Sequence, residues 1–312
     1  MKLISVAGPT ASGKTKLGVL LAKQYNGEVV SIDSMQIYKG MTISTAAPTA
    51  VEMDGIPHHM VGVADPAENW SAARFVQAAD ACIQDILARG KRPILVGGTG
   101  LYLDAVLAGR TFASGSAGGA VRADLTRELE EGGIAPLLEE LRRVDPASAQ
   151  RLHPADTKRV LRALEVWRET GKTISQHNAE TQALPKKYES VTIGLAFRDR
   201  EDMKTLIDRR VDAMLAQGLL EEVRALAARN LPGGATALQA IGCKELLPVL
   251  RGEASLEEAA EEIKLRSRQY AKRQLTWFRR NKDAHWYDWE KIPDFSAALA
   301  FSTKLVQECG LQ

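Results

Sequence analysis

The sequence predicts an α/β fold: a parallel sheet flanked by helices, with a mainly helical insertion. Two observations lead there. Short apolar runs alternate with helix-period segments through the first third of the chain. That alternation is the pattern of strand–helix–strand crossovers, which pair strands in parallel. From about residue 110 the strand signals stop and helical periodicity takes over until 191–197.

The elements follow in order. KLISVA (2–7) is a compact apolar run ending in Gly8-Pro9, and 13–24 reads as a helix with Leu17, Leu20 and Leu21 on one face. EVVSI (28–32) and RPILVG (92–97) are further buried strands, separated by a helix over roughly 71–88. SGSAGGA (114–120) is turn-rich. Helices are expected near 121–131, 135–144 and 156–170, the last closed by Gly171. VTIGLAF (191–197) restores a strand, and beyond 199 everything reads helical: 200–217, 219–229, 239–250 and 256–281. Residues 1–110 and 191–312 are thus expected to form the core, and 111–190 a helical insertion domain.

Composition bounds the class. With 312 residues, 45% hydrophobic and 26% charged, the chain is of the ordinary globular type, which excludes a disordered or fibrous protein. The net charge of +2 excludes a wholesale polycation. Cys82, Cys243 and Cys309 are too far apart for a disulfide framework or a zinc site, and read as reduced thiols of a cytoplasmic protein. No apolar run approaches the roughly 18 residues of a membrane helix. The apolar N-terminal stretch is too short for a signal peptide.

Gly8-Pro9-Thr10-Ala11-Ser12-Gly13-Lys14-Thr15 matches G-x-x-x-x-G-K-[ST] between a strand and a helix. The glycines let backbone N–H groups turn toward phosphate oxygens, and the helix start adds its positive dipole end. Lys14 supplies a charge and Thr15 a hydroxyl for magnesium. The sheet is therefore expected to be P-loop NTPase-like. No Walker-B aspartate ends the 92–97 strand, which runs into Gly97-Gly98-Thr99-Gly100. This weakens an ATP-hydrolysis reading and leaves a small-molecule kinase open.

Asp33 follows the second strand, and ligands of open parallel sheets bind beyond the strands' carboxyl ends. Asp33 then serves either as a turn cap or as a general base or magnesium partner. Between Ile263 and Lys282 stand eight basic residues and no acidic one, with Tyr270, Trp277 and Phe278 interleaved. Lys158, Arg159 and Arg162 share one face of the 156–170 helix. Such strips are solvated faces or phosphate grips. Ser34, Gln36 and Gln239 are turn caps or base readers. His58 and His59 lack neighbouring ligands that would complete a metal set, so a hydrogen-bonding role is expected. Two readings remain on these residues alone: a phosphate-loop kinase and a non-catalytic RNA-binding module.

Taken together, GPTASGKT (8–15), DSMQIYKGM (33–41), PHH (57–59), LVGGTGLYL (95–103), RALEV (162–166), TGKTISQ (170–176), QAIGCKE (239–245) and RQYAKRQLTWFRR (268–280) resemble the tRNA dimethylallyltransferase family of bacterial type. The likeness spans nearly the whole chain in the family's order. It implies transfer of a dimethylallyl group from dimethylallyl diphosphate to N6 of adenine-37 in the tRNA anticodon stem-loop. It implies Asp33 as the base and Thr99 as its assistant at the amine. Gly8, Pro9, Thr10, Ala11, Ser12, Gly13, Lys14, Thr15 and Arg210 then hold the diphosphate, with Mg2+ on Thr15. Asp33, Ser34, Met35, Gln36, Thr99, Arg122, Thr157, Lys158, Arg159, Gln239, Gly242, Lys272 and Arg273 then contact tRNA. The implied enzyme is monomeric and cytoplasmic. Two positions depart from the family's pattern: Ala47 replaces a lysine in Thr45-Ala46-Ala47-Pro48, and Ser44 replaces a glycine.

Overall fold

The computed structural model describes residues 2–110, 112, 119–232 and 234–310. The first part contains β1 (Lys2–Ala7), α1 (Lys14–Gln24), β2 (Gly27–Ser31), α2 (Ala50–Met53), β3 (His58–His59), α3 (Ala72–Ala88), β4 (Arg92–Gly97) and α4 (Gly100–Ala108). Five helices follow: α5 (Ala120–Gly132), α6 (Ile134–Val144), α7 (Pro146–Arg151), α8 (Thr157–Thr170) and α9 (Ile174–Ala183). The chain then forms β5 (Glu189–Phe197), α10 (Arg200–Ala216), α11 (Leu219–Ala227), a 3-10 turn at Thr236–Gln239, α12 (Cys243–Leu250), α13 (Leu256–Phe278), β6 (Ala284–Trp289) and α14 (Phe295–Glu308). The turn-rich reading at 114–120 falls largely on 113–118, outside the described residues.

The chain divides into two compact units, Met1–Leu107 with Lys187–Gln312, and Ala108–Lys186. In the larger unit the six strands form one sheet in the order β3-β2-β4-β1-β5-β6, every pair parallel. Val6, Ile94, Val96, Ile193 and Leu195 of the sheet pack against Leu17 and Leu21 of α1 and Val306 of α14 in its core. The helical unit has its own core of Leu125, Leu137, Leu138, Leu141, Val160, Leu161 and Leu164. Among the described residues no helix is long and apolar enough to cross a membrane.

Local chemistry sets the helix ends. Ser71 accepts the Arg74 amide at the start of α3. Ser255 and Glu258 form a reciprocal capping box on α13, where the helix dipole also favours the acid. Gly171 closes α8 in the left-handed conformation.

The expectation of helix alone beyond 199 is corrected by β6. AHWYDW is a short aromatic run whose strand character comes from pairing with β5, through Thr192↔Ala284 to Phe197↔Trp289. The long helix correspondingly stops at Phe278 rather than 281.

A buried carboxylate ties one end of the sheet. Glu28, 2% exposed, accepts both Arg89 guanidinium nitrogens at 2.5 and 2.8 Å, Lys91 Nζ at 2.7 Å and meets His59 Nε2 at 2.7 Å. Its partner His58 bonds the Ile56 carbonyl oxygen through Nδ1. Both histidines are thus in hydrogen bonds. The Arg89 hydrogen bonds above all, opposed by burial and aided by Lys91 and His59, hold the Glu28 carboxyl well below the usual carboxylate range. A carboxyl depressed in the folded state stabilises fully above its unfolded pKa of about 4.3 and loses that contribution as pH falls toward the folded value. Glu28→Gln is therefore expected to lower unfolding free energy by about 2–4 kcal/mol at pH 7. In urea titrations the gap from wild type narrows below about pH 4.

Candidate active site

Three loops leave the sheet at the same carboxyl edge, because β1, β4 and β2 are adjacent and in register: Ala7 lies opposite Gly97, and Val96 opposite Ser31. The loop after β2 stays against the loop after β4. Ile32 N donates to Val96 O at 2.8 Å and Thr99 N to Ile32 O at 3.2 Å. A Cβ on Gly97 would lie 2.0 Å from Ile32 O, so only glycine permits this approach. Ser34 N then donates to Thr99 Oγ1 at 3.2 Å. Asp33 and Thr99, far apart in sequence, become parts of one turn.

Asp33 stands at the start of this turn. Its Oδ1 accepts Met35 N at 2.9 Å and Gln36 N at 3.3 Å, which caps the turn. No hydrogen bond occupies Oδ2 among the described residues, leaving one oxygen for chemistry. The charge of Asp33 reaches Tyr102 and Tyr270, whose phenols are pushed up to about 12, chiefly by burial.

The phosphate loop lies beside this turn. Lys14 Nζ donates to Pro9 O at 2.5 Å. Burial first, then the Arg210 guanidinium, push the Lys14 amine down to about 7, against an upward pull from Asp33. Burial likewise lowers Arg210, which Asp33 and Glu52 partly offset. Arg210 Nη1 lies 3.5 Å from Thr10 Oγ1. Two cations thus share an enclosed place with too little negative charge, which is the field an anion relieves. Ser12 Oγ is buried without a hydrogen-bond partner, and Trp289 Nε1 donates to Ser12 O at 3.0 Å. Thr10 N is already bound to Gln274 Oε1 at 2.9 Å. Since Pro9 has no N–H, the loop amides open to phosphate start at Ala11.

The donor set fits magnesium. Thr15 and Asp33 offer hard oxygens, and among the described residues no group of three or more His, Cys, Asp or Glu could hold a metal. That sparse set suits an ion that keeps waters and takes its other ligands from phosphate.

Sequence reading missed several residues here. Gln274, 6% exposed, also donates through Nε2 to Gly98 O at 2.9 Å. Tyr270 sets its buried phenol beside Thr99 and Gln274. Trp277 Nε1 donates to Asp104 Oδ2 at 2.9 Å, with its ring against Gly100. All three sit within the RQYAKRQLTWFRR segment, where Tyr270 and Trp277 read only as aromatics interleaved in a basic strip and Gln274 carries no signal.

The residues expected at RNA separate into groups. Gln36 is engaged at both ends of its amide: Oε1 accepts from Ser31 Oγ at 2.8 Å and Nε2 donates to Ala46 O at 3.2 Å. It holds the Thr45-Ala46-Ala47-Pro48 segment in place rather than extending outward. Gln239 is exposed at the end of the 3-10 turn, and Gly242, with φ 98°, starts α12 by donating its N–H to Glu245 Oε2 at 2.8 Å. Lys272 and Arg273 are exposed on α13, the latter 5.7 Å over the Tyr270 ring. In the helical unit, Thr157, Lys158 and Arg159 open α8, and Arg159 pairs with Asp156 at 2.7 Å. Arg122 turns inward instead, 3.8 Å from Glu165, which is 1% exposed.

Comparison with known proteins points to one family. The model of the family described as IPP transferase matches residues 36–281, and that described as isopentenyl transferase matches residues 1–61. The chain is 47% identical over 289 residues to a tRNA dimethylallyltransferase of Geobacillus thermodenitrificans, covering 92% of this chain and 90% of the relative. It resembles the crystal structure of a tRNA isopentenylpyrophosphate transferase from Bacillus halodurans, with a TM-score of 0.72, 40% identity and coverage of 98% and 97%. It also resembles a eukaryotic dimethylallyltransferase acting on tRNA, with a TM-score of 0.83, 33% identity and coverage of 98% and 80%. The fold, the phosphate loop and these likenesses together make the chain a member of the IPP transferase family, a prenyltransferase enzyme.

Proposed function

We propose that this chain transfers a dimethylallyl group from dimethylallyl diphosphate to N6 of adenine-37 beside a tRNA anticodon. Diphosphate leaves and N6-(dimethylallyl)adenosine forms. The observation that carries this reading is the joined turn of Asp33 and Thr99 beside the phosphate loop, where Lys14 is met by Arg210 of α10. A kinase reading accounts for the phosphate loop, Asp33 and the sheet, but not for the exposed Lys272 and Arg273 of α13 or for the helical unit.

The exocyclic amine of adenine is a weak nucleophile, because its lone pair is delocalised into the ring. Thr99 Oγ1 orients it, and the unbonded Asp33 oxygen takes its proton as the N6–carbon bond forms. The allylic carbon–oxygen bond breaks at the same centre, and the electron pair leaves with the diphosphate. Lys14, Arg210 and the amides from Ala11 to Thr15 stabilise that growing charge. Thr15 would hold magnesium, which when bound would neutralise part of the diphosphate charge. The target base must first leave the loop stack, at a cost of a few kcal/mol.

Lys272 and Arg273 are the protein's exposed grip on the tRNA backbone in this reading, joined by Lys158 and Arg159. Arg280 lies 5.6 Å over Trp277 on the same stretch. Gln239 is the exposed amide available to a base edge.

Two experiments test this reading. Asp33→Asn keeps an oxygen for the Met35 and Gln36 amides but removes the base. Single-turnover transfer of labelled dimethylallyl to tRNA should fall about 10²–10⁴-fold with tRNA affinity unchanged. Turnover near wild type removes Asp33 from that role. Replacing Lys272 and Arg273 together with alanine should weaken tRNA binding and flatten its log–log salt slope by about 1.5. An unchanged slope places the phosphate contacts elsewhere.

A further inference from the structure

We infer that Gln274 is a positioning residue for the transfer, holding the phosphate loop and the Gly97-Gly98-Thr99-Gly100 turn at one fixed spacing. The inference rests on the transferase reading above. Gln274 lies on α13, outside all three catalytic loops, yet its amide spans two of them. Oε1 accepts Thr10 N at 2.9 Å and Nε2 donates to Gly98 O at 2.9 Å. With the side chain 6% exposed and both ends bonded, one rotamer is fixed. The approach is tight: a Cβ on Gly98 would lie 2.2 Å from Gln274 Nε2.

The chemistry of the contact points to alignment rather than binding. The Thr10 amide would otherwise face a phosphate, and Gln274 withdraws it from that use. What the contact supplies is the separation between the loop that holds the leaving group and the turn that carries Thr99. Tyr270, one helical turn earlier, sets its buried phenol beside Thr99 and Gln274, so one face of α13 meets both loops. The same turn of α13 exposes Lys272 and Arg273, the latter over the Tyr270 ring. A carboxamide suits this place because it donates and accepts at equal reach. An ionised carboxylate would set two acceptors against Gly98 O.

Two substitutions test the inference in the full-length enzyme, with kinetics normalised to folded protein. Gln274→Met keeps the volume and removes both hydrogen bonds. It is expected to lower kcat about 100-fold, while KM for tRNA stays within about twofold because Lys272 and Arg273 are intact. Gln274→Glu adds a pH readout. The protonated carboxyl reproduces the donor and acceptor of the amide, and burial favours the protonated form. Its kcat relative to wild type should rise as pH falls from about 8.5 to 6, whereas the ratio for Gln274→Met stays flat. Wild-type kcat in Gln274→Met, or a flat ratio in Gln274→Glu, overturns the inference. A wild-type enzyme that transfers nothing is instead the failure of the transferase reading itself.

Discussion

The contact of Gly97 with Ile32 is the constraint on which the site depends. With no side chain at Gly97, the loop after β2 can lie on the end of β4, and the bonds from Ile32 N and Thr99 N follow. Those bonds bring Thr99 to Ser34 and hence to Asp33. Any larger residue at 97 would separate the carboxylate from the hydroxyl before it touched any substrate. The parallel order β2-β4-β1 then sets this turn beside the phosphate loop, so that a general fold rule places the chemistry.

The charge pattern works at two scales. At the phosphate loop, Arg210 of α10 adds its charge to that of Lys14 with Asp33 as the nearby acid, a field that favours a polyanion over an empty site. On α13 the eight basic residues between 263 and 282 divide by contact. Lys264 pairs with Asp212 and Glu261, Arg266 with Glu262, and Arg268 with both oxygens of Asp208. Arg279 lies 3.7 Å from Asp288. Among the described residues Lys272, Arg273, Arg280 and Lys282 have no acidic partner. The positive surface is therefore narrower than the count suggests, and it lies toward the end of the helix that carries Gln274.

What the sequence made legible follows from the range of each signal. β1, β4, α1 and α3 announce themselves through local periodicity and through Gly8, Ser71 and Gly97 at their ends, and the phosphate loop is a contiguous motif. β6 was not legible because six residues of mixed aromatic and charged character gain strand form only from β5. Gln36 was read as a possible base reader because its bonds to Ser31 and Ala46 depend on how a loop folds back. Arg122 was expected to face RNA, but Glu165, distant in sequence, draws it inward. Gln274 carried no signal, since a buried glutamine in a basic helix looks like any polar surface residue until its partners are placed.

The central claim is that Asp33 serves the chemistry while Lys14 and Arg210 serve the anion. Calorimetric titration with inorganic diphosphate in the absence of magnesium separates the two most directly. The account predicts that Lys14→Ala and Arg210→Ala weaken binding, while Asp33→Asn, which removes a negative charge beside the anion, tightens it. Weaker diphosphate binding by Asp33→Asn under these conditions would contradict the account.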